Sequence, residues 1–174
     1  MQRGTVILAL ALVALIGAGH GAGAQQSALP FTVDAMPRPA DTVSQSTANG
    51  VSETLAHWDI SDDSRAFFGT LRHARRDPAA AWPAALAASM ANVEATFAAM
   101  PEPIEDLTTA YGVAALNTAA GMFAARRVTY DWTGFTCVQL SHADDSRYLR
   151  GTLCREGTLD DAAMQALIAT ISFP

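Results

Sequence analysis

A chain of 174 residues with a net charge of −6 has the length for one ordinary domain with its own core. Its acidity excludes nucleic acid as the expected partner, because phosphate backbones repel it. All 11 basic residues are arginine, so Ser-Lys catalysis, Schiff-base chemistry and a P-loop are excluded too; arginine without lysine, beside abundant alanine, fits a GC-rich bacterial genome.

Residues 1–24 have the pattern of a cleaved secretory signal peptide. Arg3 is their only charge, an apolar run covers residues 6–16, and Ala22-Gly23-Ala24 supplies an A-x-A cleavage site before Gln25. The apolar run is shorter than the roughly 20 residues a spanning helix needs. The expected localisation is therefore periplasmic or secreted, with no membrane anchor after cleavage. Residues 25–50, rich in Gln, Ser, Thr and Pro, predict an extended or disordered arm with a short strand at 31–33. A single domain is then expected over 51–174.

A first helix is predicted from an N-cap at Ser61 or Asp62 to Arg76, with Phe67, Phe68 and Leu71 as its apolar face. Arg72, His73, Arg75 and Arg76 would lie at its C-terminal end, where the helix dipole favours positive charge; an anion-binding patch is the functional alternative. Asp77-Pro78 opens the next helical stretch. From Pro83 a stripe of Leu86, Met90, Val93, Phe97 and Met100 recurs at spacings of four and three, and Pro101 and Pro103 end it. Over 104–127, Ile104, Leu107, Tyr111, Ala115, Ala119, Met122 and Phe123 fit a third helix. Gly112 and Gly121 weaken it by roughly 1 kcal/mol each, and Thr108, Thr109, Tyr111 and Val113 also allow a strand.

From Val128 the apolar period changes to two. Val128, Tyr130 and Trp132 predict one strand, and residues 135–140 and 147–155 predict two more. If the second hairpin turns through Asp145 and Ser146, Cys137 falls opposite Cys154 and Leu140 opposite Gly151. The same register collects Val138, Leu140, Leu149 and Leu153 on one face, and Gln139, Ser141, Arg150 and Thr152 with the cysteines on the other. Two cysteines in an exported chain predict one structural disulfide, Cys137–Cys154. A final helix follows, opened by Thr158 and Asp161 as a capping box, with Leu159, Ala163, Leu167, Ile168 and Ile171 inward and Phe173 pinning the terminus.

The expected fold is α+β: two or three N-terminal helices packed on a small antiparallel β-meander, with a C-terminal helix and one cross-strand disulfide. Chemistry-bearing residues are sparse. No histidine pair has a metal-ligand spacing, no cofactor motif is present, and no serine sits in a nucleophile elbow. His142, Asp144, Asp145 and Arg147 crowd one hairpin tip and are the candidate binding residues. His57-Trp58-Asp59 offers a His–Asp pair able to orient a general base, with Trp58 expected in the core. The acidic pairs Asp62-Asp63, Glu105-Asp106 and Asp160-Asp161 sit at predicted helix starts, where dipoles account for them. These features favour an exported, non-catalytic accessory or binding protein with a protein or small-molecule partner in the envelope. Alternatives are a small hydrolase with His57 or His142 as base, or an inhibitor of an envelope enzyme acting through the 141–147 tip.

Overall fold

The computed structural model describes residues 29–36, 38–59, 67–100, 109–130 and 134–174. In chain order these form β1 (Thr32–Val33), β2 (Thr42–Ala48), β3 (Val51–Trp58), β4 (Phe68–Arg76), α1 (Ala84–Ala91) and α2 (Val93–Ala98). Then come β5 (Thr109–Ala110), β6 (Ala114–Thr118), β7 (Gly121–Tyr130), β8 (Phe135–Ala143), β9 (Arg147–Glu156), α3 (Asp161–Ala169) and β10 (Ile171–Ser172). The signal peptide, the caps at Ser61 and Asp62, Asp62-Asp63, Pro101, Pro103, Glu105-Asp106 and Trp132 lie outside the described residues.

Eight strands form one antiparallel sheet in the order β2-β3-β4-β9-β8-β7, with β5 and β6 both paired along the far side of β7. This corrects the expectation of helices packed on a small meander: the sheet is the body of the described residues, and the three short helices among them lie against it. Regular structure also starts before Val51. Asn49 and Gly50 take positive φ values of 51° and 74°, the turn that joins two strands through two residues, and they place Thr42–Ala48 alongside β3.

Two predicted helices are strands. Phe68–Arg76, expected to end the first helix, is β4, held between β3 and β9. One face of β4 is buried through Gly69, Leu71 and His73, and the other is buried only towards its two ends, at Phe68 and Ala74, which breaks the strand's period of two. Its arginines therefore meet neighbouring strands and loops, not a helix dipole: Arg72 bonds Glu53, and Arg76 bonds the carbonyls of Ala80 and Asp145. The third expected helix, 104–127, is a hairpin of β6 and β7 wherever it is described, apart from the short β5. Its alanines favour a helix locally, but Phe123 and Ala125 are fully buried in the ladder with β8. Tertiary burial outweighs that local preference.

The expected helix over 83–100 is present in two pieces. Asn92 breaks it, and its side chain accepts the Ala95 N–H at 3.0 Å to cap α2. Leu86, Phe97 and Met100 of the expected stripe are buried. The last helix is capped by Asp160, not Thr158, through the Ala163 N–H at 2.7 Å. No described helix is long and apolar enough to cross a membrane.

The β8–β9 hairpin has the expected register, with Leu140 opposite Gly151 and Cys137 opposite Cys154. The cysteines form a disulfide with Cα atoms 3.9 Å apart. One sheet face is dry: Trp58, Leu71, Val138, Leu140, Leu149 and Leu153 pack under α3 and under the β1–β10 ribbon, which adds Phe31, Val33 and Ile171. The opposite face carries the disulfide with Phe68, Val128 and Tyr130 at one end. At the other end Leu86 covers Val51, Ala74 and Tyr148. Gly69 and Gly151 mark where β4 and β9 pass closest. A Cβ on either would stand 2.2 or 2.0 Å from the carbonyl oxygen of Thr152 or Thr70, and both have positive φ, so neither position admits a side chain.

Candidate ligand cleft

Between the end of α2 and strands β3, β4 and β9, the disulfide-bearing face opens into a cleft of about 830 Å³. The pleat builds its floor in rows, since every second residue of each strand faces the same way. The first row is Leu55, Arg72 and Arg150; the second is His57, Thr70 and Thr152. Phe68 follows on β4, Gly69 and Gly151 contribute backbone to the lining, and Ala99 and Met100 form the roof. Beyond the cleft the same face continues into buried polar side chains, Ser141 and Gln139, opposite Arg150 and Thr152. Gln139 Oε1 accepts from Arg126 Nε at 2.6 Å.

The second row holds a connected chain of polar groups. His57 Nε2 lies 2.6 Å from Asp59 Oδ1, and His57 Nδ1 lies 2.8 Å from Thr70 Oγ1. A carboxylate oxygen accepts, so Nε2 carries the proton, and Nδ1 is left to accept from the Thr70 hydroxyl. Hydroxyl, imidazole and carboxylate thus stand in the relation of nucleophile, base and orienting acid. Trp58, between His57 and Asp59, is buried on the dry face as expected, and its Nε1 donates to the Arg38 carbonyl at 3.2 Å. Asp41 ties down the end of β3. It accepts the Asp59 N–H at 2.6 Å, and that bond, with the Arg38 guanidinium, holds its carboxyl below the usual range against the opposing effect of burial.

In the first row, Arg72 and Arg150 are direct cross-strand partners. Glu53 accepts from Arg72 at Nε, 2.8 Å, and again at the terminal nitrogen. Arg150 has no carboxylate partner among the described residues; its guanidinium lies 6.0 Å from the Tyr148 ring centre.

The four hairpin-tip candidates are placed differently. His142 is buried on the dry face, stacked between Phe123 at 4.8 Å and Phe173 at 5.2 Å. Its Nδ1 donates to the Met122 carbonyl at 2.8 Å, and its Nε2 lies 3.7 Å from Asp144. Asp144 accepts the N–H groups of Ser146 and Arg147 at 2.8 and 2.7 Å and the Arg147 guanidinium at 2.7 and 2.8 Å. Burial opposes its ionisation, but these bonds prevail and hold its pKa down at about 2. Asp145 faces solvent and gives its carbonyl to Arg76. Arg147 lies 4.6 Å from the Phe173 ring centre. The structure therefore brings His142, Asp144 and Arg147 together and leaves the Asp145 carboxylate outside the cluster.

Sequence reasoning did not single out His73 for this neighbourhood. It faces Leu149 across one ladder as His142 does across the next, with the Phe173 ring 5.8 Å away. Burial first, then the charges of Arg147 and Arg75, push its pKa down to about 4. The cleft set Arg72, Arg150, Thr70 and Thr152 was not grouped either, because β4 was read as helix; the polar face of β8–β9 was its one sequence signal. Among the described residues no cluster of His, Cys, Asp and Glu is arranged to hold a metal ion. Comparison with protein-family models, with curated proteins and with solved structures finds no match.

Proposed function

We propose that this chain is an exported, non-catalytic binding protein of the bacterial envelope, whose small-molecule ligand occupies the cleft beneath α2. The cleft carries this reading. Its volume of about 830 Å³ falls within the roughly 300–1,000 Å³ of small-molecule sites. Apolar groups at Leu55, Phe68 and Met100 surround a few placed polar ones, the usual composition of such sites. The leader-like residues 1–24 and the Cys137–Cys154 disulfide support an oxidising, extracytoplasmic location.

The test is native mass spectrometry of protein expressed with its own leader and purified from the periplasm. The expected species starts at Gln25, carries the disulfide and retains a small molecule. Ala99→Trp, at an exposed position on the cleft roof, should abolish the retained mass without unfolding the protein. Bare protein, with no thermal shift from a broad metabolite panel, would overturn the reading.

The Thr70–His57–Asp59 chain favours a second reading, a small hydrolase. Thr70 Oγ would attack an acyl carbon as its proton passes to His57 Nδ1; His57 would return that proton to the departing alcohol as the ester bond breaks, and water would then release the acyl group from Thr70 by the same route. Binding is preferred because Thr70 sits in ladders on both sides, so its own N–H is engaged and not offered to an oxyanion. Turnover of simple esters, abolished by His57→Ala at unchanged melting temperature, would establish the hydrolase instead.

A further inference from the structure

We infer that the ligand of this cleft is a single-headed anionic amphiphile, its head on Arg150 and Arg72 and its apolar body directed towards Phe68. The inference rests on the cleft being the binding site and adds the chemical class of the occupant.

Two like charges directly opposite on antiparallel strands destabilise a sheet unless something answers them. Glu53 answers Arg72 and fixes its orientation. Arg150, half-buried on the same wall, has no carboxylate among the described residues. The pair thus retains one positive charge. An anion placed between two guanidiniums some 5 Å apart at Cβ would receive charge-assisted hydrogen bonds from both.

Polarity along the cleft sets the ligand's direction. Leu55, the cross-strand partner of Arg72, is 41% exposed, one of three large apolar side chains so open among the described residues. Four residues down β4, about 13 Å at strand spacing, the floor becomes Phe68, and Met100 adds a second apolar side chain to the lining. Asp59, paired with His57, stands at this far end and repels an anionic head from it. The two ends therefore accept opposite parts of an amphiphile.

The probes are dodecanoate, dodecyl phosphate and dodecanol, titrated calorimetrically below their aggregation limits into the disulfide-bonded protein. Dodecanoate or dodecyl phosphate should bind one-to-one at least tenfold more tightly than dodecanol, and the tighter of the two distinguishes a carboxylate from a phosphate head. Arg150→Gln should remove that preference and Arg150→Lys should restore part of it, with melting temperatures reporting that each variant folds. Equal affinity for dodecanol, or an unchanged preference in Arg150→Gln, overturns the anionic head while leaving the cleft as a binding site. Binding of none of the three overturns the inference outright; the cleft reading then stands or falls on the retained mass and on Ala99→Trp.

Discussion

Phe173 touches both buried histidines and Arg147, and within this cluster the burial of His73 gives the protein a defined response to acid. The pKa of His73 is about 4 in the folded state against the ordinary 6.5, so the unfolded chain takes up its proton first as pH falls. Its contribution is complete above about pH 6.5 and is lost down to about pH 4, worth on the order of 3 kcal/mol. His73→Leu should remove this part of the slope, read as a smaller difference in urea unfolding energy between pH 7 and pH 4.5. Asp144 acts in a lower window. Its depressed pKa makes its contribution complete above the ordinary 3.8 and lost on the way to about 2. Asp144→Asn should flatten the curve only below pH 4. The two losses therefore occur in sequence, histidine first.

At the scale of elements, the β8–β9 hairpin and the β4–β9 crossing set most of the geometry. Removing the disulfide with Cys137→Ala and Cys154→Ala frees a loop of 17 residues' separation and should cost about 3 kcal/mol, measured by denaturant unfolding under oxidising conditions. Gly151→Ala should cost about as much or more, because the new Cβ meets a carbonyl oxygen at 2.0 Å. The hairpin was legible because one face is dry and the other polar, so a slip of one residue would have exposed Leu140 and Leu149. β4 was not legible: Phe68 and Ala74, buried towards the ends of its otherwise open face, blurred its alternation, and its arginines resembled a helix end. The β6–β7 hairpin was hidden by alanines that suit either structure until a neighbour decides. Asn49-Gly50 was a strong hairpin signal, but the Ser- and Thr-rich flank on one side resembled a linker. The cleft was hidden with them, since two of the three strands of its floor are β3 and β4.

For the whole molecule, the two faces of one sheet have separate duties. The dry face, closed by α3 and the β1–β10 ribbon, supplies the core. The other face, roofed in part by α1 and α2, keeps a band of polar side chains and the cleft. Changes on the first face should therefore alter stability and leave ligand affinity alone. Ile171→Ala, at a side chain 1% exposed, should cost about 2–5 kcal/mol with dodecanoate affinity preserved. Arg150→Gln should do the reverse. Measuring unfolding energy and ligand affinity on the same two variants tests the division.

The β1–β10 ribbon joins Thr32 to Ser172 across 140 positions, and it is the cover of the dry face. β1 has its partner only once residue 172 has been synthesised, so the emerging polypeptide cannot close its core early, however long translation lasts. Such distant pairing slows folding. Until that residue arrives, the apolar face carrying Leu71, Leu140, Leu149 and Leu153 lacks this part of its cover.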